Sequence, residues 1–201
     1  MIRVCFHGAE STGKSVLAHK LAAQRGCPMV PEYGREYCET RVLRQAQDDL
    51  TMADLLAIAE GQDAAMRAAC TDAPPLVLLD TDPLMTAAWA AILFGEVPPV
   101  LLAYPKAERY LLFAPDVPWV ADGTRFFGSA EARARFAALA EDMLVRAGVP
   151  FIRVSGDWEA REKAVRHFLD ALYRPRIFDQ AARQPWGLSG MSSVCPVVSS
   201  R

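Results

Sequence analysis

Short apolar runs alternate with stretches of helical spacing from the N-terminus to about residue 172. Ile2-Arg3-Val4-Cys5-Phe6 alternates apolar and polar positions and has β-propensity, which predicts a first strand. Helical spacing then runs from Val16 to about Gln24, and Gly26 ends it. Pro28-Met29-Val30 reads as a short second strand, followed by the polar segment Pro31 to Tyr37. Residues 51–70 carry helical spacing, with Thr51 as N-cap and Asp54 three positions on. After the Pro74-Pro75 break, Leu76-Val77-Leu78-Leu79-Asp80 is a continuous apolar run ending in an acid, the pattern of a strand buried on both faces. A helix is predicted over 84–94, closed by Gly95, and a looser helix or loop over 99–108. Tyr110 to Phe113 reads as a strand and 129–147 as a helix, with Ser129 as cap and Gly148 as stop. Phe151 to Val154 is the last strand, and a final helix covers about 158–172.

Five strands separated by helices predict an α/β fold with a parallel sheet. Ligands in such sheets sit at the carboxyl ends of the strands, and each polar cluster described below follows a strand. From Pro175 the periodicity decays, so the expected organisation is one domain over 1–174 and a poorly ordered tail over 175–201.

Where the first strand meets the first helix, Gly8-Ala9-Glu10-Ser11-Thr12-Gly13-Lys14-Ser15 matches G-x-x-x-x-G-K-[ST], the phosphate-binding loop. Gly8 and Gly13 let successive backbone N–H groups converge on one anion. Lys14 supplies a point charge for the β- and γ-phosphates, and the Ser15 hydroxyl suits Mg²⁺. Val16 opens the helix whose N-terminal dipole favours the same negative charge. Strand, glycine loop and helix together point to a nucleoside triphosphate site, with ATP and Mg²⁺ as expected cofactors.

Four further clusters could carry chemistry. Asp80 ends the buried strand, where phosphoryl-transfer folds place an acid toward Mg²⁺. Asp82, just before Pro83, suits either a helix cap or the acceptor site. Glu32, Tyr33, Arg35 and Tyr37 offer a carboxylate to take a hydroxyl proton, aromatic faces for a base and a cation for a polar group. Trp119, Asp122 and Arg125 follow the fourth strand, where a mobile lid could bring an arginine onto the triphosphate. Arg133 and Arg135 are further lid candidates, but two positions apart they cannot share a helical face. Gly156 and Asp157 follow the last strand and suit either the adenine or a simple helix cap.

The remaining composition excludes more than it adds. A net charge of −2 gives no electrostatic case for nucleic acid as the main partner. The cysteines at 5, 27, 38, 70 and 195 form no C-x-x-C pair, so metal-site spacing is absent and reduced thiols are expected. No signal-peptide pattern precedes the first strand, and the longest apolar run, 84–94, is too short to span a bilayer. A cytoplasmic protein acting on a small molecule is the expectation.

With the clusters in place, the chain resembles the nicotinamide riboside kinase domain of the NadR-type NAD-salvage proteins. The carriers are the phosphate loop at 8–15, P-E-Y-G-R-E-Y at 31–37, D-T-D at 80–82, D-V-P-W-V-A-D-G-T-R at 116–125 and S-G-D-W-E-A-R at 155–161. The resemblance implies ATP-dependent phosphorylation of the ribose 5′-hydroxyl of nicotinamide riboside. It also implies a fold like that of nucleoside and nucleoside monophosphate kinases, with strand order 2-3-1-4-5 and a lid. By the same resemblance Glu32 stands where the base acts and Arg125 at the start of the lid. Trifunctional members carry further domains ahead of the kinase, and because this sequence opens at the kinase strand, their repressor and adenylyltransferase roles are not expected here. The competing expectations are a kinase for another nucleoside and an ATP-binding regulatory or assembly ATPase with no small-molecule acceptor.

Overall fold

The apolar runs become five parallel strands in one sheet, in a computed structural model that describes residues 1–43, 50–118 and 129–173. The elements are β1 (Ile2–Gly8), α1 (Lys14–Arg25), β2 (Met29–Val30), α2 (Tyr33–Leu43), α3 (Met52–Ala69), β3 (Leu76–Asp80), α4 (Pro83–Phe94), α5 (Pro99–Ala103), β4 (Arg109–Phe113), α6 (Ala130–Arg146), β5 (Phe151–Val154) and α7 (Trp158–Tyr173). The sheet order is β2-β3-β1-β4-β5, as the family resemblance implies. The predicted tail and the residues Trp119, Asp122 and Arg125 lie outside the described residues.

Alternation along the strands sorts the core into two halves. Cys5, Val77, Leu79, Tyr110 and Leu112 face α3, α4 and α6 on one side. Val4, Phe6, Leu76, Leu78, Leu111 and Phe113 face α1 and α7 on the other. Every residue of β3 is buried, as its unbroken apolar run requires. The caps hold where the local chemistry was explicit. Thr51 and Asp54 close a reciprocal capping box on α3, and Ser129 accepts from Ala132 N at the start of α6.

Two stretches left open by the sequence pattern take definite form. The polar segment 31–37 enters a helix, because α2 begins at Tyr33. Its apolar positions form no clean stripe, so periodicity gave no helical signal, and its first N–H is satisfied from another element: Tyr33 N donates to Gln62 Oε1 on α3 at 2.8 Å. The stretch 99–108 is helical only as the short α5.

The register fixes the site. β1 lies between β3 and β4, with Phe6 opposite Asp80 and Gly8 opposite Phe113. The chain leaves β1 toward β2 and β3 and later returns on its other side to β4. The phosphate loop therefore sits at the point where strand order reverses, and Asp80 lies beside its root.

Candidate active site

The loop from Gly8 to Ser15 is wound by three residues at positive φ: Gly8 at 127°, Ser11 at 56° and Gly13 at 82°. Such reversals turn successive N–H groups toward a common hollow. Glycine is required at its first position on steric grounds as well, since a Cβ on Gly8 would meet the Phe113 carbonyl oxygen at 2.5 Å. Within the loop, Thr12 Oγ1 and Lys14 Nζ both donate to the Ala9 carbonyl, at 2.9 and 2.7 Å.

A cleft of about 570 Å³ opens over this loop, lined by Gly8 and residues 10–16. A second cleft of about 680 Å³ adjoins it, walled by α2, α3 and α4 through Gly34, Leu55, Ile58, Gln62, Thr86 and their neighbours. The two share Glu10, Glu32, Arg35, Thr81, Met85 and Trp89. The first is the more polar by its residues, the second the more apolar.

Glu32, from the β2–α2 junction, therefore stands where the clefts meet. Burial raises its carboxyl to about 7, the nearby Asp80 carboxylate adds to the rise, and Lys14 and Arg35 oppose it. Asp80 is buried at the end of β3, and its Oδ1 has no hydrogen-bond partner. An orphaned carboxylate oxygen beside a phosphate loop is a natural cation ligand. Thr81, which follows it, lines both clefts at a φ of 79°, a strained conformation for a β-branched residue. Neither Thr81 nor Trp89 was singled out by the sequence; backbone strain and a helix side chain turned into a cleft leave no linear motif.

Several candidates are placed differently from the sequence expectation. Asp82 is not on either cleft. Its Oδ1 accepts from Leu84 N at the start of α4, its Oδ2 accepts from the Tyr110 hydroxyl, and burial raises its carboxyl to about 6. It is the cap of α4, which removes it from the acceptor set. Asp82 also lies with Cys5 and His7 in a buried group whose ligating atoms fall within 4.8 Å of one another. Both Asp82 oxygens already accept hydrogen bonds and His7 Nε2 is bonded to the Ala140 carbonyl oxygen, while His7 Nδ1 is buried without a partner. Burial holds His7 down to about 3 and hence neutral.

Tyr33 and Tyr37 turn toward α3 rather than into the clefts: the Tyr33 ring lies against Gly61 and the Tyr37 hydroxyl donates to Asp54 Oδ1. Asp157 accepts from Ala160 N, the capping alternative, and Gly156 N donates to Asp116 Oδ2. Neither lines the phosphate cleft. Their neighbour Trp158 does approach it, since a Cβ on Gly13 would fall 2.1 Å from the Trp158 ring. Arg133 is buried and donates to the Val117 carbonyl, whereas Arg135 is exposed.

Arg161, the last residue of the S-G-D-W-E-A-R stretch, is fully buried. It donates to the carbonyls of Gly156, Thr12 and Ala114 and pairs with Asp116. One side chain thus ties the phosphate loop to the segments after β4 and β5. Arg161→Met would leave three carbonyls without that donor. It is expected to cost about 3 kcal/mol of stability, seen as a lower urea midpoint at an unchanged m-value.

A parallel sheet reversing at a glycine loop, with a buried acid on the adjoining strand, defines a P-loop nucleotide-binding domain. The chain belongs to the AAA domain family, whose model matches residues 3–161. It is similar to the trifunctional NAD biosynthesis/regulator protein NadR of Escherichia coli K12, at 33% identity over 162 residues, or 79% of this chain. The chain spans about 39% of that relative's length. Among solved structures it resembles a NadR protein in complex with NR, with a TM-score of 0.70 and 25% identity over 84% of this chain and 51% of the other. It shares its fold with a deoxyadenosine kinase from M. mycoides, at TM-score 0.59 and 12% identity over 85% of this chain and all of that one.

Proposed function

We propose that this chain is an ATP-dependent small-molecule kinase that phosphorylates nicotinamide riboside to nicotinamide mononucleotide, a cytoplasmic step of NAD salvage carried by a kinase domain at 1–174. The observation that carries the proposal is the junction of the two clefts, with Glu32 in the shared wall. A phosphoryl donor over the loop and an acceptor hydroxyl in the neighbouring cleft would face each other there. The similarity to NadR, crystallised with NR, supports the choice of acceptor.

Each residue then has a task. Lys14 and the loop amides hold the phosphates. Trp158, beside Gly13 and more than half exposed, offers a flat face to the adenine. Glu32, about half ionised near pH 7 and fully so well above it, accepts the acceptor's proton in its ionised form. Arg35 and Trp89 line the acceptor cleft close to it. Arg125, which the family resemblance puts at the start of a lid, would neutralise charge on the transferring group. Ser15 and the orphaned Asp80 fit Mg²⁺, which when bound offsets charge on the β- and γ-phosphates.

The test is turnover with Mg-ATP and nicotinamide riboside, the product identified by mass. Nicotinamide mononucleotide should form at a rate on the order of 1–100 per second. Slow ATP loss with no phosphorylated product would overturn the kinase reading. Preferential phosphorylation of another member of a nucleoside panel would overturn the acceptor.

A further inference from the structure

Two neighbouring residues of α3 grip the segment that carries Glu32, and neither is part of the phosphate loop. Gln62 is 2% exposed. Its Oε1 accepts from Tyr33 N at 2.8 Å and its Nε2 donates to the Pro31 carbonyl at 3.3 Å. One amide side chain thus holds the peptide groups on both sides of Glu32. The preceding residue, Gly61, lies in the middle of an 18-residue helix, where glycine is the least favourable residue after proline. The structure gives the reason: a Cβ there would fall 2.1 Å from the Tyr33 ring. Glycine lets α2 close onto α3, and that closeness brings Gln62 within reach of the backbone.

We propose that Gly61 and Gln62 form a clamp that positions Glu32 at the junction of the clefts, and that α3 thereby couples acceptor binding to the placement of the base. The proposal rests on the kinase reading above. Gln62 lies in the wall of the acceptor cleft, but both its amide oxygen and its amide nitrogen bond the backbone beside Glu32, which makes it a positioning residue. The coupling follows from what else α3 carries. Leu55 and Ile58 lie on the acceptor wall, on the same helix as the clamp. An acceptor that seats against them seats against the element that fixes Glu32. A ligand too small to touch α3 would leave the base less well held.

The experiment compares the full chain with Gln62→Met, which keeps the shape and loses both hydrogen bonds, and with Gly61→Ala, which keeps Gln62 and raises helix propensity while forcing Tyr33 away. Two readouts are taken. Amide exchange should show Tyr33 protected in the wild type and at least about tenfold faster in both variants, with the rest of α3 still protected. Turnover should show kcat falling roughly ten- to a hundredfold, with the KM for ATP unchanged. Unchanged exchange at Tyr33 overturns the clamp whatever the activity. Faster exchange with an unchanged kcat overturns its role in positioning the base. A wild type that ignores nicotinamide riboside, with protection of Tyr33 lost as expected in the variants, would leave the clamp standing and refute the acceptor. If Gln62→Met does not fold, Gly61→Ala decides alone.

Discussion

Lys14→Ala is expected to lower turnover by at least about a hundredfold while the protein melts within roughly 1 kcal/mol of the wild type. Both halves of that expectation come from the same contact. The Lys14 ammonium bonds to the Ala9 carbonyl, and that carbonyl also accepts from Thr12 Oγ1. Removing the lysine therefore leaves the loop a second tie, and the winding set by Gly8, Ser11 and Gly13 stays in place. What is lost is a charge aimed where phosphate oxygens gather. Backbone amides and the helix dipole still attract the triphosphate, so ATP affinity should fall less than kcat does. The measurement is a thermal melt beside steady-state kinetics in Mg-ATP. Retained turnover would remove the phosphate loop from the reaction. Lys14→Arg is expected to rescue poorly, because a planar fork does not replace a compact point charge in a hollow shaped by backbone.

The sequence was most informative where chemistry is local. The phosphate loop, the Thr51 capping box, the Ser129 cap and the buried run at 76–80 each depend on residues within a few positions of one another, and each stands where the pattern placed it. Sheet order came from family likeness, and the register then explains why clusters far apart in sequence share one end of the sheet. What stayed hidden depends on contacts across the chain. The start of α2 is capped by Gln62, 29 positions away, so no N-cap signal stood before it. Arg161 reads as one more charge on a helix, yet its partners include the carbonyl of Thr12 on the phosphate loop, 149 positions away. Asp80 and Asp82 look alike in D-T-D. The positive φ at Thr81 divides them, one left beside the root of the phosphate loop with an orphaned oxygen, the other turned onto the N-terminus of α4.

Glu32→Gln should separate activity from stability. As the base it is expected to contribute about 10²–10⁴-fold to the rate, so the glutamine variant should lose turnover on that scale. The pH profile adds the sign. With the wild-type carboxyl near 7, kcat/KM should climb as pH rises through about 7 and level off above it, because only the ionised form accepts a proton. The variant should be low and flat across the same range. Stability should move the other way. Burial and Asp80 favour the protonated carboxyl in the folded chain, so the folded state binds a proton more tightly than the unfolded one, whose carboxyl titrates near 4.5. That contribution is fully present below about 4.5 and is lost as pH rises through about 7. At pH 8 the wild type therefore keeps a carboxylate in a poorly hydrated place beside another carboxylate, and Glu32→Gln relieves it. The variant should melt higher than the wild type at pH 8, and the gap should close on acidification to pH 4. An inactive variant that is also destabilised at pH 8 would mean that Glu32 is a structural ion-pair partner rather than a strained base. A variant with the wild-type profile would move the proton-accepting role to another group on the shared wall.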